Sequence, residues 1–336
     1  GVGDDDPPRD RIDVVAVGKT RSGEPSASVY LGEGRGSFVP VSAGLHPVTN
    51  AAVAGGDLNA DGNVDLVVSG TDAAGNARTH VYEGDGTGGF TVASSGFVDL
   101  EYGTVDIADV DADGNLDVLL TGRTAAGSSN ATTRLYLGQS DGSFTEVSST
   151  ASGLDPFFLS TVEISDIDVD GNLDVLILGR ASGSRIFFGN GDGTFTPESA
   201  YGSSNDFSPD ALVRDVTGNG YPDLLIASGA GFFLQKATAP GSFQTVSIDF
   251  LPSPNSHLAD GDLNGDGHLD VVRTHLDNDT PKATVYYGDG AGNFTKQADE
   301  ISDVAEGGLA IADLDGDGED DLVATGAGDY TRTEVY

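Results

Sequence analysis

DVDADGNLD, from Asp109 to Asp117, is the phrase that decides how this chain folds. It returns as DLNADGNVD (Asp57 to Asp65), DIDVDGNLD (Asp166 to Asp174), DLNGDGHLD (Asp262 to Asp270) and DLDGDGEDD (Asp313 to Asp321), with a worn copy, DVTGNGYPD, from Asp215 to Asp223. Oxygen-bearing side chains fall at alternate positions around a glycine. That spacing wraps a short loop about a hard cation, with calcium expected. Asp109, Asp111 and Asp113 alternate around the curl, Gly114 gives the turn its backbone freedom, Asn115 offers a main-chain carbonyl, and Asp117 closes the shell from the next strand. The same roles fall on Asp57, Asn59, Asp61, Asn63 and Asp65, and on Asp166, Asp168, Asp170, Asn172 and Asp174. They fall again on Asp262, Asn264, Asp266, His268 and Asp270, and on Asp313, Asp315, Asp317, Glu319 and Asp321.

The sequence therefore predicts about five calcium ions. The worn copy keeps Asp215, Asn219 and Asp223 but has Thr217 in place of an acid, so it should bind a sixth ion weakly or not at all. Before the first intact copy, Pro7 and Arg9 stand where ligands should be, and no ion is expected there. An EF-hand would need a glutamate at position twelve and a helix on each side. Position twelve here falls in apolar runs such as DLVVSG and DVLLTG, which excludes it.

The copies also serve as ruler marks. Their last aspartates lie at 65, 117, 174, 223, 270 and 321, and RIDVVAVG adds an earlier mark at Asp13. The intervals are 52, 52, 57, 49, 47 and 51 residues, a period in the propeller range and far too long for nonapeptide calcium rolls. Within one period, TNAAVAGGDL leads into the acidic loop, VDLVVSG is a short apolar run, RTHVYEG alternates, DGTGG is a tight turn and FTVASS closes the unit. Short runs between Gly, Asp, Asn and Ser clusters read as strands and hairpins. The expected fold is all-β: a seven-bladed β-propeller of four-stranded antiparallel blades, with the last blade lacking its outer strand in this chain. Residues 1–336 are expected to form one domain, because a single blade buries too little alone. AAVAGG, VDIAD, VEISD and LAIAD are rich in small residues, which suits innermost strands crowded round an axis. GVGDDDPPRD reads as the tail of an innermost strand with a damaged loop, and the terminal TRTEVY matches third strands. An unfinished blade leaves an edge open to strand pairing or polymerisation.

Composition limits the partners. With 54 acidic against 16 basic residues, the formal charge is −38, so nucleic acid is excluded as a partner by repulsion. No apolar run is long enough to insert in a bilayer. Without cysteine there are no disulfides, and calcium is the substitute staple. Loops of this kind suit an extracellular setting, where calcium is plentiful. Three glycosylation sequons, at Asn130, Asn278 and Asn293, are compatible with it but common by chance.

The acidic loops occur with a second phrase: VYLGEGRGSF, VYEGDGTGGF, LYLGQSDGSF, IFFGNGDGTF and VYYGDGAGNF. Together the two resemble the FG-GAP/VCBS repeat family, whose best-known fold is the integrin α-subunit head, over nearly the whole chain. The resemblance implies that the loops join the first and second strands of each blade, hold calcium on one face, and leave the opposite face for ligands. The fifth repeat departs in both elements, because its loop is eroded and FFLQKATAPGSF replaces the glycine phrase.

Other signals are weaker. GDGTGG (Gly84 to Gly89) matches a nucleotide fingerprint but sits between strands, so a hairpin turn explains it. His46, His80, His257, His268 and His275 show no metal spacing, and no serine or cysteine nucleophile motif is present. The face opposite the loops should carry Phe97, Tyr102, Phe157, Phe158, Tyr201, Phe207 and Phe250, with His80, Arg123 and Arg180 nearby. Such rings either plug gaps between blades or stack on a protein or glycan ligand. The functional expectation is an extracellular, calcium-binding adhesion or binding module that is not an enzyme. The alternatives are a lectin-like carbohydrate binder, a structural subunit of a surface filament or layer, and a polysaccharide-processing enzyme.

Overall fold

The computed structural model describes residues 12–20, 22–34, 37–93, 96–124, 130–181, 183–198, 209–249, 253, 256–277, 280–298, 301–302, 308–314, 318–324 and 334–335. The N-terminal phrase with Pro7 and Arg9, the aromatics Tyr201, Phe207 and Phe250, the ligand candidates Asp315 and Asp317, and the sequon at Asn278 lie outside the described residues.

The strands form antiparallel sheets in chain order. The first sheet holds β1 (Val14–Lys19), β2 (Pro25–Gly34) and β3 (Ser37–Val41). The second holds β4 (Thr49–Gly56), β5 (Asp65–Thr71), β6 (Ala77–Gly84) and β7 (Phe90–Ala93). The third holds β8 (Val105–Ala108), β9 (Asp117–Arg123), β10 (Ala131–Gly138) and β11 (Phe144–Val147), followed by a one-turn helix α1 (Ser149–Ser152). The fourth holds β12 (Phe157–Ser165), β13 (Asp174–Ala181), β14 (Arg185–Gly189) and β15 (Phe195–Pro197). The fifth holds β16 (Asp210–Arg214), β17 (Asp223–Ser228), β18 (Gly231–Ala239) and β19 (Ser242–Asp249). The sixth holds β20 (Leu258–Gly261), β21 (Asp270–Asp277) and β22 (Thr280–Gly288), with β23 (Phe294–Lys296) and β24 (Ile301–Ser302) sharing the outer edge of β22. The last strands are β25 (Leu309–Ala312), β26 (Asp321–Ala324) and β27 (Glu334–Val335).

This architecture corrects the expectation of seven four-stranded blades. The described residues form a six-bladed propeller with a partial seventh sheet, in which the two-residue β27 meets β26 only at Val335–Val323 and Glu334–Ala324. The blades are not uniform either, since the first is three-stranded and the sixth five-stranded. The error has a physical source. Each ruler mark registers one acidic hairpin, and a hairpin is half a blade. Among the described residues, Asp321 marks the β25–β26 hairpin, to which only the two-residue β27 is added.

The apolar core is divided into layers between consecutive sheets. Val118 and Leu120 of β9 join Val67, Val81 and Val105 on one side, while Leu119 joins Val162, Val175 and Phe187 on the other. In β13, Val175 and Ile177 face the third sheet, and Leu176 and Leu178 face the fifth. Each second strand is thus apolar on both faces, which is why it reads as a continuous run and not as an alternating one. The first strands β4, β8, β12, β16, β20 and β25 pack in succession.

Candidate metal loops and the opposite face

The acidic phrases link β4 to β5, β8 to β9, β12 to β13, β16 to β17, β20 to β21 and β25 to β26. Their carboxylates first serve the backbone. In the second loop Asp109 accepts from the N–H groups of Asp113 (3.1 Å) and Gly114 (2.9 Å), and Asp113 accepts from Asn115 N–H (2.8 Å). The pattern repeats with Asp57, Asp166 and Asp262 as first acceptors, and Gly318 N–H bonds Asp313 in the sixth. The worn loop keeps it, for Asp215 accepts from Asn219 N–H at 3.1 Å and Gly220 N–H at 2.7 Å. The curl of the loop therefore survives the loss of two carboxylates. Position four is left-handed throughout the described loops, even at Ala60, Ala112 and the β-branched Val169 (φ 61°), where glycine would be the unstrained choice.

The last aspartate has a role that the sequence does not show. Asp117 is buried, and its Oδ2 accepts from Val110 N–H (2.7 Å) while Oδ1 accepts from Gly138 N–H (2.8 Å) at the end of β10. Asp65 binds Leu58 and Gly84 N–H, Asp174 binds Ile167 and Gly189, and Asp270 binds Leu263 and Gly288. Asp13 likewise accepts from Gly32 N–H. The partner is the glycine of the second family phrase. A Cβ on Gly138 would collide with the Leu116 carbonyl, so only a bare backbone comes close enough. The two phrases are one device. The aromatic before that glycine is buried too: Tyr82 and Tyr136 each accept an inter-blade N–H, from His46 and Val98.

Among the described residues, carboxylate groups converge tightly at two places, Asp109–Asp111–Asp113 and Asp166–Asp168–Asp174. In the first and fifth loops Asn59 and Asn264 replace a carboxylate, so fewer acids meet there. Burial pushes Asp117 and Asp174 up to about 6, and moves Asp65, Asp223 and Asp270 the same way. Asp111 and Asp168 also rise, from burial first and then from neighbouring loop carboxylates. One atom is left over. Asp168 Oδ1 is buried and has no hydrogen-bond partner, with the turn at Gly241 of the next blade over its Cβ. A buried, unpaired carboxylate oxygen is costly unless a cation or donor meets it. An all-oxygen set around it fits a hard divalent ion.

The second strands start at the acidic loops, so Thr71 and Arg123 at their far ends mark the opposite face. There Arg123 Nε donates to Glu101 Oε1 (3.1 Å), and the guanidinium lies 4.3 Å from the centroid of the Tyr102 ring. Phe97 and Phe157, by contrast, are packing residues: Phe97 stacks on Tyr136 at 4.0 Å, and Phe157 is fully buried against Phe187. Phe158 is buried as well. The side chain of Arg180 lies outside the described residues. The scattered histidines include one meeting that the sequence hid, His46 with His80 at 4.9 Å between ring centroids, and His46 Nδ1 lies 3.1 Å from the Tyr82 hydroxyl. Sequence reading also missed Glu101, Thr71 and Asn50. Their only signal was adjacency, in E-Y-G and G-T, and nothing in the text of the chain brings those segments together.

The fold and its repeated loops define a class, the acidic-loop β-propellers. The FG-GAP-like repeat model matches residues 57–120, 109–177, 166–226 and 262–324, and the chain belongs to that family. No curated protein matches it. Among solved structures, a lectin from Agrocybe aegerita that recognises non-reducing terminal N-acetylglucosamine is similar at 20% identity and TM-score 0.62, covering 94% of this chain and 85% of that one. A protein from Lactobacillus plantarum is similar at 15% identity and TM-score 0.57, covering 94% and 88%. An α-L-arabinanase from Penicillium chrysogenum is similar at 12% identity and TM-score 0.50, covering 98% and 97%. At these identities the likeness is one of fold.

Proposed function

We propose that this protein is an extracellular binding module whose acidic loops hold structural calcium. The observation that carries the calcium reading is the orphaned Asp168 Oδ1 inside the Asp166–Asp168–Asp174 group. Asp57, Asp109 and Asp262 head loops of the same hydrogen-bonded shape, and Asp313 accepts the corresponding bond from Gly318 N–H. The ions neutralise carboxylates that burial and crowding otherwise disfavour, so binding becomes folding stability. At free calcium 100-fold above the dissociation constant, each site adds about 2.7 kcal/mol. The loop carboxylates already accept backbone donors, which suits scaffolding and not proton transfer, and the protein is proposed not to be an enzyme. The acidic surface and the demand for calcium favour a place outside the cell.

A lectin-like role is the second reading. It is supported by the similarity to the Agrocybe lectin over most of both chains and by the arginine–tyrosine stack on the face away from the loops. The test of the calcium reading is a thermal melt in millimolar calcium against chelator, with native mass spectrometry for stoichiometry. About five bound ions and a large fall in Tm on chelation are expected. Identical melts with no bound ions would end it.

A further inference from the structure

The rim between the second and third blades, on the face away from the acidic loops, holds a polar assembly that the calcium chemistry does not use. Asn50 stands at the start of β4 and Thr71 at the end of β5; Glu101 and Tyr102 precede β8, and Arg123 ends β9. The backbones of Glu101 and Arg123 bond each other in both directions, at 3.1 and 3.0 Å. Glu101 is buried, and both of its oxygens are used. Oε1 accepts from Arg123 Nε, and Oε2 accepts from Thr71 Oγ1 at 2.8 Å. Asn50 Nδ2 in turn donates to Thr71 Oγ1 at 3.3 Å. The carboxylate thus acts as a clamp that fixes the guanidinium over the Tyr102 ring. The terminal amino groups Nη1 and Nη2 of Arg123 have no protein partner among the described residues, and the side chain is 20% exposed.

The backbone contributes to the display. Tyr102, just before β8, is left-handed (φ 54°), as are its counterparts Asn50 (φ 48°) and Leu159 (φ 47°) in the opening residues of β4 and β12. Tyrosine is an uncommon occupant of that conformation, and such outliers gather at binding sites. The second, third and fourth blades each carry one such residue beside the first strand, and in the third blade it is an aromatic ring.

The chemistry narrows the ligand. A fixed fork of two free N–H groups matches adjacent hydroxyl oxygens, and an aromatic ring beside it offers the C–H face of a sugar a surface to pack on. An anion fits poorly. The guanidinium charge is already matched by Glu101, and the whole chain carries −38. We propose that Asn50, Thr71, Glu101, Tyr102 and Arg123 form a site for a neutral pyranose unit of a glycan, with Arg123 and Tyr102 touching the sugar and Glu101 positioning the arginine. This rests on the lectin-like reading.

The test uses the full chain in millimolar calcium, screened on a glycan array and then titrated calorimetrically with neutral methyl pyranosides. Arg123→Lys keeps the charge, so Glu101 is not left buried and alone, but it removes the fork. Tyr102→Asn keeps a residue that tolerates the left-handed backbone but removes the ring. Binding of a neutral glycoside by the parent, weakened at least tenfold by each variant with the calcium-dependent Tm unchanged, is the expected result. Undiminished binding in both variants would overturn the site while leaving the lectin-like reading intact. Binding confined to carboxylated or sulfated glycans would overturn the neutral-sugar assignment. A parent that binds no glycan would remove both this site and the lectin-like reading, without touching the calcium proposal.

Discussion

Within a single loop, two aspartates of the same phrase do opposite work. Asp117 is buried and meets two N–H donors, whereas Asp113 is exposed and lies in the cluster that a cation would join. Asp117→Asn would turn an NH2 group toward a backbone donor, and should destabilise the fold by about 2–3 kcal/mol with or without calcium. Asp113→Asn should leave the chelated protein near its parental stability and remove one ion. Denaturant titrations in calcium and in chelator, paired with native mass spectrometry, separate the two. Val169 offers a third case. It is 49% exposed and left-handed, so Val169→Gly should stabilise by about 1 kcal/mol, read as a rise in the denaturation midpoint.

The blade hairpin is the element on which the motif acts, and the fifth blade shows what its parts are for. Thr217 and Asn219 have replaced acids, yet Asp215 still caps Asn219 and Gly220, and Asp223 still accepts from Thr217 and Ala237. The scaffold is intact and the charge is missing. The double substitution Thr217→Asp with Asn219→Asp should therefore add one calcium to the mass-spectrometric count and raise the calcium-dependent part of Tm. An unchanged count would show that shape, and not charge, limits that loop. Much of this element was legible in the sequence. Alternating oxygens, the glycine turn and the valine-rich run after it fixed the position of each hairpin. The partner of Asp117 was not legible, because Gly138 lies a strand further on and only the folded sheet brings its N–H to the carboxylate. Nor was the rim assembly, whose five residues come from two blades.

At the scale of the whole molecule, the first strands carry acids toward one another. Glu163 on β12 is pushed up to about 8 by burial and then by Asp210 and Asp106, and burial holds Asp106 on β8 at about 6. Arg214 is committed to Asp260 at 2.6 and 3.2 Å. A carboxyl whose folded value lies above its unfolded one stabilises the fold while protonated. That contribution is complete below about 4.5 and is lost as pH rises toward 8. In saturating calcium, which holds the loops constant, Tm should fall across that window, and Glu163→Gln should flatten the fall. A parallel pH profile in the variant would assign the dependence elsewhere. The blade count belongs to this scale as well. It was misjudged because repeated hairpins are written locally, whereas completing a sheet depends on chain that the marks do not record.

The two-sided burial of strands such as β9 leaves a problem of alignment. When Val118, Leu119 and Leu120 are all apolar, sliding the strand by one residue exchanges its faces at little cost in buried area, so greasiness cannot enforce pairing. The carboxylate at its foot can, because a slip strips Asp117 of both donors at once. An aspartate in that post is useful even where no ion is held. That accounts for Asp13 and Asp223 standing in the two repeats that lack acids at the middle loop positions, where Pro7 and Arg9, and Thr217 and Asn219, are found instead.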